Sequence, residues 1–251
     1  MNRITDYSQL KEKIVTWIKD YVTNNKIKSL VVGISGGIDS SVVSTLCAET
    51  GLPTYVLSMP LNSMSSHSEL SDVHRKFLSD NYKNVIPLKI DLSSTYEQFV
   101  KGVRFWLGDG MVESNHALAN TKSRLRMVTL YQVAGSVGGI VVGTGNKVED
   151  YGVGFYTKYG DGGVDIAPIA DLYKTEVWML GEYLGVDERI ISAAPTDGLW
   201  EDGRTDENQI GASYAELEEA MEKGTGPAVE ILTKFNSQNQ HKMNSIPTFK
   251  L

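Results

Sequence analysis

With 251 residues, 41% of them apolar, the chain is long enough for one α/β domain with a substantial core, and a single domain over 1–251 is the expectation. A formal net charge of −7 argues against a general nucleic-acid binder, whose footprint is a basic face, and no apolar run reaches transmembrane length. The lone cysteine, Cys47, excludes an intrachain disulfide, so the expected setting is a reducing cytoplasm with small-molecule partners and neither membrane nor nucleic acid.

The first element is a helix whose apolar stripe, Leu10, Ile14, Trp17, Ile18, Tyr21 and Val22, recurs at three- and four-residue spacings. Residues 29–34 are β-branched and apolar on both faces, as suits a strand buried in a parallel sheet. A helix over 41–50 follows, with Cys47 as a buried thiol. Strands are then expected at 54–58, 85–90 and 140–142, alternating with helices at 66–78, 95–107 and 117–137. The alternation predicts an α/β fold, a doubly wound, mostly parallel sheet with helices on both faces. His67, His74 and His116 lack metal spacing and read as surface or capping residues. Phe99, Phe105 and Trp106 read as core, with a subunit interface as the alternative. Glu216, Glu218, Glu219 and Glu222 read as a solvated helix face, and the polar run 237–245 as a segment mobile before a ligand binds.

The chemistry concentrates in Ser35-Gly36-Gly37-Ile38-Asp39-Ser40, between the first buried strand and its helix. A glycine turn feeding a helix start presents free backbone N–H groups and the positive end of the helix dipole to one point, where phosphate is the natural occupant. Gly36 and Gly37 let an anion approach the backbone, and the Ser35, Ser40 and Ser41 hydroxyls add donors. Asp39 would repel that phosphate unless a divalent cation, most naturally Mg2+, bridges the two. No lysine stands where a P-loop lysine would, which counts against ordinary γ-phosphoryl transfer. An ordinary βα turn with Asp39 and Ser40 as helix caps is the bland alternative. The second glycine-rich block, Gly143-Thr144-Gly145-Asn146-Lys147-Val148-Glu149, falls at the carboxyl end of a later strand, so both loops can meet one ligand.

The first run resembles the pyrophosphate loop of the N-type ATP pyrophosphatases, with their Rossmann-like, adenine nucleotide alpha-hydrolase-like fold. The block after Glu149, Gly154-Phe155-Tyr156-Thr157-Lys158-Tyr159-Gly160-Asp161-Gly162-Gly163-Val164-Asp165, narrows the resemblance to the ammonia-dependent NAD synthetases. Supporting pieces stand in that family's order: Asn120-Thr121-Lys122-Ser123-Arg124-Leu125-Arg126-Met127, Leu172-Tyr173-Lys174-Thr175-Glu176-Val177, Ala194-Pro195-Thr196, Asp206-Glu207 and His241-Lys242. The resemblance covers nearly the whole chain. One departure is that Glu149-Asp150-Tyr151-Gly152-Val153-Gly154 is a residue longer than the family's spacing, leaving Glu149 or Asp150 as the second metal ligand.

The resemblance implies ATP-dependent amidation of deamido-NAD by ammonia, through an acyl-adenylate, to give NAD, AMP and pyrophosphate, in a homodimer. It implies that Gly33, Ile34, Ser35, Gly36, Gly37, Ile38, Asp39, Ser40, Thr144, Lys174 and Thr196 bind ATP, and that Asp39 and Glu149 hold Mg2+. It makes Asp161 and Lys174 catalytic, gives contacts to deamido-NAD to Arg124, Lys158, Asp165, His241 and Lys242, and leaves Arg126 as a surface cation. No nitrilase-like glutaminase region stands in the chain, so free ammonia is the expected nitrogen donor. A non-catalytic nucleotide sensor is the competing reading, and it would have little need of Lys174 and Asp161 beside a metal-binding carboxylate pair.

Overall fold

A computed structural model describes residues 3–61, 65–107, 114–196, 198–200 and 203–250; the side chains of 65–68, His67 among them, lie outside the description. In chain order the elements are α1 (Tyr7–Asn24), β1 (Ser29–Gly33), α2 (Ile38–Glu49), β2 (Thr54–Ser58), α3 (Ser65–Asn81), β3 (Val85–Lys89), α4 (Ser93–Leu107), α5 (Asn115–Val137) and β4 (Gly139–Val141). A π-helical turn (Val148–Val153) follows, then α6 (Lys174–Tyr183), α7 (Glu188–Ile191), α8 (Asp206–Ile210), α9 (Tyr214–Lys223) and α10 (Val229–Met243).

The strands pair in parallel in the order β3-β2-β1-β4, giving the Rossmann-like α/β architecture. The chain winds outward from β1 through β2 to β3, then crosses back to lay β4 on the other side of β1. The loops leaving β1 and β4 therefore lie side by side where the winding reverses, the place where open parallel sheets bind ligands. Side-chain alternation along the strands builds a core on each face. Leu30, Val32 and Ile34 join Val56 and Val85 beneath Ile14, Ile18 and Val22 of α1, Val42 and Leu46 of α2, Leu78 of α3 and Val177 and Leu180 of α6. Val31, Leu57 and Val141 point the other way, against Ala134, Leu130 and Leu125 of α5. A third cluster joins Val148 and Val153 of the π turn to Tyr214 and Leu217 of α9, with Leu232 and Phe235 of α10 packed against it.

Helix α2 begins at Ile38, three residues before the expected start, because Gly37 takes the N-cap position. The Ser40 and Ser41 hydroxyls donate to the Gly37 carbonyl at 2.9 and 3.0 Å. Ser44 and Thr45 donate in turn to the Ser40 and Ser41 carbonyls, so a helix rich in hydroxyls is buried with its polar atoms satisfied.

Several expectations about single side chains change. Trp17 is 45% exposed beside Tyr21, so the buried stripe of α1 is Ile14, Ile18 and Val22. Phe99, Phe105 and Trp106 are not core: α4 buries only Val100 among its residues and turns those rings outward. Glu218 is not on a solvated face, since its carboxylate accepts bonds from the Thr175 N–H and hydroxyl at 2.9 and 2.6 Å. Residues 237–243 form the last turns of α10, whose amides dock on the π turn: Asn236 donates to the Gly152 carbonyl and Asn239 to that of Val153. Among the described residues, no helix is long and apolar enough to cross a membrane.

His74 is a core residue rather than a surface one, fully buried with Nε2 2.9 Å from the Ser44 hydroxyl. Burial pulls its pKa from 6.5 down to about 4, against smaller opposing effects of the Ser41 backbone and Asp187. The unfolded chain therefore takes up a proton in this window that the folded chain refuses, and stability falls as the pH drops from about 6.5 to about 4. Denaturant titrations should show this group contributing a slope of up to ~1.4 kcal/mol per pH unit across that window, and His74→Gln should remove it.

Candidate active site

In the loop after β1, Gly36 takes a φ of +94°, a conformation open to glycine, and no side chain caps α2, whose first residues line the cavity. The hydroxyls order the loop from within: Gly37 N–H donates to Ser35 Oγ at 3.1 Å, Ser35 N–H to Ser40 Oγ at 3.2 Å, and the two hydroxyls lie 3.0 Å apart. Positive dipole and free donors at the start of a buried helix are what a pyrophosphate group requires.

Behind this loop three charges meet. Lys174, the first residue of α6 and 2% exposed, donates to Asp39 Oδ2 at 2.5 Å and to Glu149 Oε1 at 2.9 Å. Asp39 comes from the first turn of α2, Glu149 from the π turn after β4. Asn146 joins the two supports: its Nδ2 donates to Asp39 Oδ1 at 3.1 Å, while its Oδ1 accepts from the Val148 and Glu149 N–H groups. Tyr214 adds a bond of 2.7 Å from its hydroxyl to Glu149 Oε1. Burial pushes the Asp39 carboxyl up, with Lys174 opposing. Burial acts on Glu149 too, but the Lys174 charge and the Tyr214 bond outweigh it and leave its pKa below the usual value. Burial likewise disfavours charge on Lys174, and the two carboxylates overcome it and raise its pKa.

Of Glu149 and Asp150, it is Glu149 that shares the Lys174 ammonium with Asp39. Residues 148–153, where the sequence spacing is expected to be a residue longer, form a π-helical turn. Asp150 instead packs against Gly145, where an added Cβ would collide with its carboxylate. Its carboxyl is pushed up to about 8 by burial and by the neighbouring Glu149, Asp161 and Asp39. An ammonium bridged between Asp39 and Glu149 shows that the pair accommodates a cation. A two-carboxylate donor set fits Mg2+, which commonly takes few protein oxygens and completes its shell from phosphates and water.

On the far wall, Asp161 is held by a side chain and the backbone. Its Oδ1 accepts from the Ser123 hydroxyl at 2.7 Å and the Thr157 N–H at 3.0 Å, and its own N–H donates back to Ser123. Tyr159, at φ +61°, makes the tight turn that brings this about, and burial raises the Asp161 pKa. One cavity of about 610 Å3 contains the 33–40 segment together with Thr144, Glu149, Asp150, Asp161, Lys174, Thr196 and Lys242. Arg126 also lines it, donating to the Met59 carbonyl, and so is not the surface cation expected.

Arg124, Lys158, Asp165 and His241 lie outside that lining. Arg124 donates to the Lys158 carbonyl and Lys158 to the His241 carbonyl at 2.9 Å, forming a basic string next to Lys242. Asp165 is occupied with the fold, accepting from the Val141 N–H at 2.7 Å and the Tyr131 hydroxyl at 3.0 Å. Asn146, Ser123 and Tyr214 were not singled out from the sequence. The first two sit inside the quoted motifs, whereas Tyr214 merely follows Ser213, the cap of α9, and has no local signal.

The sequence pattern of the NAD synthase family matches residues 10–248. The NH(3)-dependent NAD(+) synthetase of Carboxydothermus hydrogenoformans is 36% identical over 239 residues, 94% of this chain and 95% of the relative. Among solved structures, the NMN synthetase of Francisella tularensis superposes with a TM-score of 0.90 at 31% identity, covering 99% of this chain and all of the other. The NH3-dependent NAD synthetase of Campylobacter jejuni superposes with a TM-score of 0.76 at 27% identity, covering 98% of this chain and all of the other. The chain belongs to the NAD synthase family.

Proposed function

We propose that the protein, as a cytoplasmic homodimer, uses ATP to activate the carboxylate of deamido-NAD and amidates it with ammonia, yielding NAD, AMP and pyrophosphate. The observation that carries this reading is the Asp39–Lys174–Glu149 bridge, which ties the phosphate loop to the second glycine loop in a cavity that also holds Asp161. A nicotinate carboxylate oxygen bonds to the α-phosphorus of ATP, and the bond from that phosphorus to the α–β bridging oxygen breaks. The departing pyrophosphate lies against 35–40 and the start of α2, where fixed N–H donors and Lys174 stabilise its charge. Mg2+ held by Asp39 and Glu149 would neutralise further phosphate charge.

Ammonia then attacks the acyl carbon, the carbon–oxygen bond to AMP breaks, and the surplus proton leaves nitrogen. Asp161, which lines the same cavity and whose carboxyl burial raises above the usual range, is the group that takes it. Thr144 and Thr196 line the ATP side. Lys242, with the string Arg124, Lys158 and His241, offers cationic and backbone groups to the part of the dinucleotide that leaves the cavity. The exposed apolar surface of α4, where Phe105 and Trp106 are 77% and 85% exposed, supports self-association.

Similarity to the Francisella tularensis NMN synthetase, with the TM-score of 0.90, favours a second reading in which the acid is the corresponding mononucleotide. Purified protein given Mg2+-ATP, ammonium and either acid, with single omissions, distinguishes them. Equal amounts of amide and AMP, dependent on ammonium, are expected, and kcat/KM identifies the preferred acid. Intact ATP, or AMP without amide, would overturn the proposal.

Lys174→Met tests the cation site directly. Leaving Asp39 and Glu149 uncompensated should lower the unfolding free energy by about 3–5 kcal/mol near neutral pH. Millimolar Mg2+ should restore part of that loss in Lys174→Met, read as melting temperature, and should have less effect on the wild-type chain.

A further inference from the structure

Tyr214 lies 65 residues from Glu149 in sequence, in a helix that no motif marks, yet it is 1% exposed and touches two of the three charged groups behind the phosphate loop. Its hydroxyl donates to Glu149 Oε1 at 2.7 Å, with Asp206 Oδ2 a longer second acceptor at 3.4 Å. Its ring presents a face to Lys174, with Nζ 5.0 Å from the centroid. The ring is held in turn. Trp178 packs edge-on at 5.8 Å and 85°, and Val148, Val153, Ile210 and Leu217 belong to the same cluster. Its N–H donates to Glu207, and the Ser213–Glu216 capping box fixes where α9 begins.

A buried tyrosine needs an acceptor for its hydroxyl, and a backbone carbonyl commonly serves. Here the acceptor is a carboxylate oxygen that Lys174 also uses, so two donors converge on Glu149 Oε1 and set the plane and direction of the group. Without the hydroxyl, the carboxylate would keep only the flexible ammonium as a side-chain donor to Oε1. Lys174 would also lose the fixed neighbour that orients its partner. We propose that Tyr214 is a positioning residue of this site: its hydroxyl fixes Glu149 toward Asp39, and its ring face steadies the Lys174 ammonium, so that the carboxylate pair is ready for a metal nucleotide. This rests on the reading of Asp39 and Glu149 as the Mg2+ pair.

Tyr214→Phe keeps the ring, its packing and its face toward Lys174, and removes only the hydroxyl. Calorimetric titration of ATP into the protein at stepped Mg2+ concentrations reads the site without turnover. The half-saturating Mg2+ should rise by roughly ten-fold in Tyr214→Phe, the scale of one hydrogen bond to a charged group. In steady state kcat should fall by about the same factor while KM for ammonium stays unchanged. Trp178→Phe, which alters the edge of the Tyr214 ring without touching Glu149, is the structural control: it should shift the melting temperature and leave the Mg2+ dependence alone. Wild-type ATP binding that ignores Mg2+ would overturn the metal assignment itself. A Mg2+-dependent wild type with an unchanged Tyr214→Phe, a Tyr214→Phe chain that fails to fold, or equal Mg2+ shifts in both variants would overturn the positioning role.

Discussion

The Lys174 ammonium, closed between Asp39 and Glu149, is the contact on which the site depends, because each of its members arrives on a different element. Asp39 rides on α2 after β1, Glu149 on the π turn after β4, and Lys174 opens α6. Withdrawing such charges from water costs several kcal/mol per ion, and the attraction between them offsets that only when the remaining polar atoms are satisfied. Asn146 and Tyr214 supply those bonds, and the π turn's first N–H groups close on Asn146 as well. The triad is thus both a clamp that sets the spacing of two loops and a preformed place for cationic charge.

The sheet order explains why these loops can be clamped at all. Placing β4 beside β1, away from β2 and β3, opens a crevice at the carboxyl ends of β1 and β4. α5 closes one side of that crevice, contributing Ser123 to hold Asp161 and Arg126 to line the cavity. The 33–40 segment and Asp161 then line a single chamber. A reaction that first releases pyrophosphate and then attacks an acyl carbon needs both within reach of one bound substrate.

The fold was legible where its causes are local. β1 and α2 follow from a β-branched run, two glycines and a buried helix with self-satisfied hydroxyls, all within about twenty residues. The glycine turn and hydroxyl bonding of the 35–40 loop were legible for the same reason. What escaped depended on partners far along the chain. Tyr214 meets Glu149, and Asn146 meets Asp39, across 65 and 107 residues. His74 gave no sign of its burial because only the packing of α3 on α2 decides it. The rings of Phe105 and Trp106 read as core because apolarity does not say which surface it serves. The polar end of α10 read as mobile, although its amides are polar in order to bond the carbonyls of the π turn. The basic string Arg124–Lys158–His241 came from the resemblance, and the residues do adjoin one another, but beside the cavity rather than within it.

On the proposed reading, one chamber forms an acyl-adenylate and then breaks it with ammonia. Supplying the acid substrate with 18O in its carboxylate and following the label by mass spectrometry tests this in one turnover. The expected result is one 18O atom in the phosphate of the AMP released and none in pyrophosphate. Label in pyrophosphate or inorganic phosphate, or AMP free of label alongside amide product, would contradict it.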